Sequence, residues 1–238
     1  MIKDFVVTYN VSRLVKQLIF PNKCILCGKL IEDKYLCLRC TDKIVVYHQC
    51  PRCGSLELPC QECSKLPDDI DAVKGLLQYK GGVPKSIARW KYSGVRKFSK
   101  GYANLMAEHF DKEVFNNIDA LIPVPVHKKR LTTRGFNQAC DLAQELSNLV
   151  GVPMVDMLER TKNTTELYRL SAAERKENTK DAIRVNPNFT DIQSSCIRRV
   201  AIVDDIYTTG STVRECINAL KKKGYDIELV YVFVICRA

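Results

Sequence analysis

The feature that most restricts the fold of this chain is a run of eight cysteines near its N-terminus. They form four Cys-x-x-Cys pairs, separated by nine, nine and six residues: Cys24/Cys27, Cys37/Cys40, Cys50/Cys53 and Cys60/Cys63. A Cys-x-x-Cys turn brings two sulfur atoms together, and a second pair completes a tetrahedral site for one Zn²⁺. The sequence therefore predicts two structural zinc sites, with all eight cysteines as ligands.

Alternatives to zinc fit these pairs less well. A disulfide framework needs an oxidising compartment, and the first residues lack the apolar core of a secretory signal. A thioredoxin-type redox pair would not occur four times. An iron–sulfur cluster is a further alternative, but the regular, ribbon-like spacing of the pairs favours zinc over it. Sequential sites, from the first four and the last four cysteines, need the shortest loops, so we expect them rather than interleaved sites. Gly28 and Gly54 follow two of the pairs and predict turns with positive φ.

The sequence after the cysteines predicts an α/β domain built on a parallel sheet. Apolar strands alternate with amphipathic helices, which is typical of a parallel sheet that helices cover on both faces. We predict strands at 72–79, 119–124, 200–203 and 227–235, and helices at 95–110, 137–150 and 211–223. Four isolated cysteines are expected to be small core residues or inert thiols: Cys140, Cys196, Cys216 and Cys236.

A short polar link at 66–69 separates the two regimes of the chain. We therefore expect a helix at 11–19 and a double zinc ribbon within residues 1–66, followed by a phosphate-binding α/β domain at 67–238. The formal net charge of +10 favours polyanionic partners such as phosphorylated metabolites or nucleic acid. The longest apolar stretch, 229–236, is far shorter than the roughly 18 residues that a membrane span needs. The expected location is the cytoplasm.

The segment 200–212 carries the strongest functional signal. An apolar strand runs into two adjacent aspartates at its carboxyl end, where open α/β sheets bind ligands. A turn rich in hydroxyls and containing glycine then opens a helix, an arrangement that binds phosphate through backbone N–H groups. The carboxylates beside it suit sugar hydroxyls or a hydrated Mg²⁺. The predicted binding residues are Asp204, Asp205, Thr208, Thr209, Gly210, Ser211 and Thr212.

A basic segment follows the strand predicted at 119–124. The sequence Ile-Pro-Val-Pro-Val at 122–126 precedes His-Lys-Lys-Arg at 127–130 and Arg-Gly-Phe-Asn-Gln at 134–138. Clustered basic side chains can form charge-assisted bonds with a phosphorylated ligand. The candidate binding residues of this segment are Val124, Pro125, Arg130 and Arg134, and the plainer alternative is an ordinary basic loop between a strand and a helix.

In combination these motifs resemble a known family. The segment 200–212 is similar to the signature of the type I phosphoribosyltransferases, which bind 5-phosphoribosyl-1-diphosphate (PRPP) with Mg²⁺. The cysteine pairs, the two segments above, Leu-Ser-x-x-Glu-Arg-x-x-Asn at 170–178 and the Asp-Asp turn together resemble the ComFC branch of the ComF family. One departure is Leu167, which stands where the family is expected to have glutamine in a loop over the ligand.

The resemblance implies a PRPP-binding protein of natural competence, in which single-stranded DNA is handled with a helicase-like partner at the inner face of the membrane. It implies that the aspartate pair faces the ribose, that the turn at 208–212 holds the 5′-phosphate, and that the basic segment holds the diphosphate. Thr208 stands where 6-oxopurine salvage enzymes carry an acidic base, so purine salvage of that type is disfavoured. No catalytic residue is assigned. The alternatives are an active phosphoribosyltransferase with an unidentified acceptor and a docking adaptor built on the zinc ribbons.

The segment 73–100 gives a separate indication of nucleic-acid binding. It contains eight basic residues, no acidic residue and four interleaved aromatic residues, a composition that suits single strands. Lys91, Arg96 and Lys97 are the candidate contacts. The plainer alternative is a solvated helical face, with Trp90 and Tyr92 in the core.

Overall fold

The computed structural model describes residues 22–32, 35–45, 49–56, 59–93, 97–162, 181–189 and 196–238. Several sequence predictions therefore lie outside the described residues: the helix at 11–19, the motif at 170–178, Leu167 and Arg96.

A parallel sheet forms the centre of the molecule. The strands are β1 (Ala72–Gln78), β2 (Ala120–Pro123), β3 (Leu158–Arg160), β4 (Ile183–Val185), β5 (Arg199–Tyr207) and β6 (Leu229–Arg237). The order in the main sheet is β1-β6-β5-β2, and each neighbouring pair is parallel. β3 and β4 form a separate antiparallel ribbon. The predicted parallel-sheet α/β class is confirmed.

One strand is longer than its sequence pattern predicts. The strand expected at 200–203 continues to Tyr207, so Asp204 and Asp205 lie within it rather than just beyond it. The extension is possible because β6 pairs with β5 along this whole stretch, from Arg199 with Leu229 to Tyr207 with Arg237.

The helices cover both faces of the sheet. They are α1 (Leu38–Thr41), α2 (Val83–Ser93), α3 (Lys97–His109), α4 (Lys112–Asn116), α5 (Lys128–Arg134), α6 (Gln138–Val150) and α7 (Ser211–Lys223). The sequence predicted α3, α6 and α7, whereas α2, α4 and α5 were not predicted. Pro84 lies in the first turn of α2, where a backbone N–H would have no helical partner, so the helix tolerates it.

Alternate side chains of the strands point into two separate apolar cores. One core contains Trp90, Tyr102 and Phe233 and packs beneath α2, α3 and α6. The other contains Ile202 and Ile217 and packs beneath α7 and the β3–β4 ribbon. The cysteine-rich segment reaches both cores, because its first half supplies buried residues to the former and its second half to the latter.

The cysteine-rich segment also follows the outer edge of β1, which is an end strand of the sheet. Val45 N donates to Leu76 O at 3.1 Å, and Val73 N donates to Arg52 O at 2.7 Å. The side chain of Gln49 bonds both backbone groups of Gly75. These bonds satisfy backbone groups of β1 that β6 does not reach.

The isolated cysteines only partly follow the prediction. Cys216 and Cys236 are buried, but Cys140 is half-buried beside Asp156 and Cys196 is exposed. Cys196 is exposed because it lies just before β5 begins, outside the sheet. Among the described helices, none combines the length and apolar character that crossing a membrane requires.

Candidate functional site

The second half of β5 presents two adjacent carboxyl groups that are held by backbone hydrogen bonds. Asp205 N donates to Asp204 Oδ1 at 2.8 Å, and Ile206 N donates to Asp205 Oδ1 at 3.0 Å. Because the donors belong to the strand itself, the position of each carboxyl group is fixed by the backbone. We call these two residues the acidic pair.

The two members of the acidic pair have pKa values shifted in opposite directions. Burial alone would raise the pKa of Asp205, but its ion pair with Lys91 outweighs burial and lowers the pKa below the ordinary value. Burial raises the pKa of Asp204 well above its ordinary value, and the nearby charge of Asp205 raises it further. Asp205 is therefore the more readily ionised member of the pair, and the two carboxyl groups together can form hydrogen bonds with sugar hydroxyls.

The turn after β5 has the geometry of an anion-binding helix start. Gly210 adopts φ = 72° and directly precedes α7. A Cβ at this position would lie 2.4 Å from Tyr207 Oη, so a larger residue would displace the tyrosine. Thr209 Oγ1 and Ser211 Oγ are 2.8 Å apart. The first N–H groups of α7 have no partner within the helix and are available to an anion.

The sequence predicted no helix in the basic segment, but the segment contains the helix α5. His127 Nδ1 accepts a hydrogen bond from Lys129 N at 3.2 Å, which caps the first turn. Gly135, with φ = 79°, ends the helix. Each of the seven residues of α5 keeps part of its surface exposed, so the sequence lacks the apolar periodicity from which a helix is predicted.

The residues predicted to bind the ligand line one cavity of about 640 Å³. Its wall contains the acidic pair, the whole turn at 208–212, and the four candidate diphosphate ligands Val124, Pro125, Arg130 and Arg134. The cavity lies at the carboxyl ends of β2 and β5, where open α/β sheets bind ligands. The structure thus brings the predicted site residues together, while their binding roles stay predictions.

Sequence reasoning missed Arg160, which also lines the cavity. It ends β3 and pairs with His127 in an isolated parallel bridge, which places it beside the basic segment. Burial lowers its pKa, although an arginine stays charged at neutral pH. A single arginine in a three-residue strand gives no sequence signal, so only the fold reveals it.

Helix α2 supplies another part of the cavity wall, with Lys91 and Tyr92 among its lining residues. The guanidinium carbon of Arg134 lies 5.2 Å from the centroid of the Tyr92 ring. Gln138 Nε2 donates to Lys91 O at 3.4 Å, and Asn137 Nδ2 donates to Val124 O at 3.1 Å. The Arg-Gly-Phe-Asn-Gln motif therefore positions the cavity wall as well as supplying a basic side chain to it.

Two of the candidate nucleic-acid contacts, Lys91 and Lys97, already have partners within the described part of the chain. Lys91 is paired with Asp205 inside the cavity, and Lys97 Nζ donates to Asn22 Oδ1 at 2.7 Å. Trp90 is fully buried, as the plainer alternative expects, but Tyr92 is 65% exposed, so that expectation is wrong for Tyr92. Tyr92 follows Trp90 by two positions on a helix, which turns it to the other face. Nucleic-acid binding at these residues stays a prediction.

The paired cysteines form two groups, each with its four sulfur atoms within 4.8 Å of one another. The first group contains Cys24, Cys27, Cys37 and Cys40, and the second contains Cys50, Cys53, Cys60 and Cys63. The Cys27–Cys37 and Cys50–Cys63 sulfur atoms are 3.6 and 3.5 Å apart. Four thiolates at about 2.3 Å from one Zn²⁺ would be about 3.8 Å apart, so each group fits a zinc ion.

The local backbone also favours metal binding. Gly28 and Gly54 have φ values of 79° and 70°, as their positions after the pairs predict. Burial would raise the pKa of Cys24 and of Cys50, but backbone hydrogen bonds lower them to about 7 and about 6. A lowered pKa favours the thiolate, the form that binds zinc, at these two positions, while burial and the neighbouring sulfur atoms raise the pKa of Cys40 and Cys53.

The chain has sequence relatives along most of its length, although no protein-family model matches it. It is 32% identical over 231 residues to Competence protein F of Haemophilus influenzae, covering 92% of this chain and 98% of that protein. It is 30% identical over 206 residues to the DNA utilization protein YhgH of Escherichia coli strain K12, covering 83% and 86%. It is 24% identical over 210 residues to Competence protein ComFC of Bacillus subtilis, covering 82% and 81%.

A purine phosphoribosyltransferase from Pyrococcus horikoshii is similar in structure over 59% of this chain and 82% of that chain, with a TM-score of 0.32 and 18% identity. This structural likeness is weak, so the family assignment rests on the sequence relatives. Since the similarity to Competence protein F extends over nearly all of both proteins, the chain belongs to the ComF family of competence proteins.

Proposed function

We propose that this protein binds PRPP, together with Mg²⁺, in the cavity at the carboxyl end of the sheet. The observation that supports the proposal is the convergence of three unlike groups on one cavity: an acidic pair, a hydroxyl-rich helix start and three arginines. PRPP has three matching parts, which are a sugar with two free hydroxyls, a 5′-phosphate and a diphosphate.

Each part of PRPP has a partner of suitable chemistry. The acidic pair would bind the ribose hydroxyls, and the turn at 208–212 would hold the 5′-phosphate through backbone N–H groups and hydroxyls. Arg130, Arg134 and Arg160 would bind the diphosphate, because planar guanidinium groups match phosphate oxygens in pairs. Mg²⁺ would arrive on the diphosphate and retain part of its water shell.

We further propose a cytoplasmic role in competence and DNA uptake. The support is the family assignment, together with the printed names of the relatives, which refer to competence and to DNA utilization. Single-stranded DNA and a helicase-like partner are the proposed macromolecular ligands, with any membrane association made through partners. The two cysteine groups would then serve as structural zinc sites.

The alternative is an active phosphoribosyltransferase of nucleotide metabolism. Arg130 and Arg134 favour it, because positive charge beside the diphosphate would stabilise its departure. Incubating the protein with Mg²⁺, PRPP and a panel of acceptors, and measuring released diphosphate, separates the two functions. Release with one acceptor supports transfer, whereas PRPP binding without release across the panel supports a binding role.

Calorimetry with PRPP, with and without Mg²⁺, tests the principal proposal. We expect binding by the wild type in Mg²⁺ and its loss in an Asp204→Asn, Asp205→Asn double variant. Asp226→Asn is the matched control, because that aspartate is 78% exposed and pairs with Arg198 away from the cavity. Undiminished binding by the double variant, or no binding by the wild type, would exclude PRPP as the ligand of this site.

A gel-shift titration in rising salt tests single-strand binding. Replacing Arg96 and Lys97 by glutamine should weaken binding and reduce its salt dependence, because fewer counterions are released. Lys112→Gln, on the exposed start of α4, is the control. Equal salt dependence for the double variant and the control would remove this segment from the proposed interface.

A further inference from the structure

Lys91 contacts Asp205 of the acidic pair, although it lies on α2, outside the segment 200–212 that contains both aspartates. Its Nζ forms an ion pair with Asp205 Oδ2, and the two side chains are only 24% and 13% exposed. The helix end that carries Lys91 is held against α6, because Gln138 donates a hydrogen bond to the Lys91 carbonyl. The ammonium group is therefore positioned at the carboxylate by both its own helix and a neighbour.

Both carboxylate oxygens of Asp205 already contact groups of the chain. Its Oδ1 accepts a hydrogen bond from Ile206 N at 3.0 Å, and its Oδ2 is paired with Lys91. Shielded carboxylates require a counter-charge, and the counter-charge here is supplied by the chain itself. A free divalent cation would have to displace the ammonium or lie within a few ångströms of it, where like charges in a shielded site repel strongly.

We propose that Lys91 is a built-in counter-cation of the acidic pair that keeps free divalent metal out of the cavity. The metal then enters only together with a diphosphate ligand, whose negative charge offsets the added positive charge. In this way the lysine selects the metal–diphosphate complex over the metal alone. Lys91 leaves Asp205 when the sugar hydroxyls bind. The identity of the ligand rests on the proposed function, whereas the exclusion of free metal rests on the contact between Lys91 and Asp205.

Titration with Mn²⁺ alone, followed by calorimetry and by water proton relaxation, tests this inference. We expect the wild type and Lys91→Arg to bind Mn²⁺ weakly, and Lys91→Met to bind it at least about tenfold more tightly, since an uncompensated carboxylate remains. Lys85→Met is the matched control, because Lys85 is an exposed lysine of the same helix and should leave Mn²⁺ affinity unchanged. Equal Mn²⁺ affinity in the wild type and Lys91→Met would overturn the proposal.

A second variant protects the test against misfolding. Lys91→Gln keeps a polar side chain, and Mn²⁺ should raise its thermal midpoint more than that of the wild type, because ligand binding stabilises the folded state. An equal rise in both proteins would also overturn the proposal. A parallel titration with PRPP in Mg²⁺ separates the two claims: absent binding contradicts the proposed function, while the Mn²⁺ comparison still decides the role of Lys91.

Discussion

The two cysteine groups share a local design. In each group the glycine after a cysteine pair donates its backbone N–H to the carbonyl of the first cysteine. The distance is 2.8 Å from Gly28 to Cys24 and 3.0 Å from Gly54 to Cys50. The first cysteine pair of each group therefore has the same turn.

The groups differ in the element that each one holds. Arg89 Nη2, on α2, donates to the carbonyls of Ile25 and Leu26 in the first group at 3.0 and 2.8 Å. The second group instead meets β1, where Arg52 O accepts the bond from Val73 N at 2.7 Å. Helix α2 supplies several residues to the cavity wall, whereas the wall contains no described residue of β1. The two similar cysteine groups should therefore have unequal influence on the cavity.

The largest effect on PRPP affinity should come from removing one zinc site at a time. Replacing Cys24 and Cys40 by serine should lower PRPP affinity by about tenfold or more, which is about 1.4 kcal/mol, because α2 loses its support. Replacing Cys50 and Cys53 should leave the affinity within about twofold while the protein remains folded. Metal analysis should show one zinc lost in each variant, and calorimetry measures the affinity. Equal affinity losses would mean that both groups support the cavity alike.

Glycine replacement should also distinguish the two groups, but here the second group should show the larger loss of stability. Gly28→Ala should cost about 1–2 kcal/mol of unfolding free energy, because its positive φ is strained for alanine. Gly54→Ala should cost about 1–3 kcal/mol more through overpacking, since its Cβ would lie 2.8 Å from the Val73 carbonyl oxygen. Denaturant unfolding measures both, and a larger cost at Gly28 would contradict the packing difference.

A smaller effect should follow from cutting the link between the first group and α2. Arg89→Ala removes two hydrogen bonds to backbone carbonyls and should lower the free energy of unfolding by about 1–2 kcal/mol. PRPP affinity should fall several-fold while the zinc content is unchanged. Lys85→Ala on the same helix is the control. Unchanged affinity in Arg89→Ala would show that α2 does not depend on this contact.

The smallest effect should be at Glu62, beside the second group. Its hydrogen bonds with Lys65 and Arg237 lower its pKa. Because the folded pKa lies below the unfolded value of about 4.3, the stabilisation is complete above that pH and is lost as the pH falls through the folded pKa. Glu62→Gln should therefore lower the thermal midpoint slightly near pH 7 and not near pH 2. PRPP affinity should not change.

Sequence reasoning succeeded where a residue type has a direct structural meaning. The cysteine spacing predicted two sequential groups, which the structure forms. The aspartates and the glycine-containing turn predicted a site at the carboxyl end of a strand, where the structure has a cavity, and binding there stays a prediction. Sequence reasoning failed where contacts connect distant parts of the chain. The pairing of Lys91 with Asp205 and the arrival of Arg160 in the cavity depend on how α2 and β3 pack, which no local pattern encodes.

The predicted division of the chain near residue 66 stays a prediction. The link between the cysteine-rich segment and the α/β region is closer than the sequence suggested. Cys40 and Trp90 share one core, and Cys53 and Val73 share the other. The composition of the chain changes near residue 66, but side chains from both sides of that point pack in the same cores. The polar link in the sequence does not reveal this shared packing.

The coverage of β1 by the cysteine-rich segment has a consequence for handling the protein. An uncovered strand edge is a template on which a second molecule can add its own strand. Stripping zinc with a chelator should loosen residues 49–52 and leave Val73 and Gly75 open to such pairing. Metal-depleted preparations should therefore form soluble oligomers before they unfold, and restoring zinc early should reverse this strand pairing.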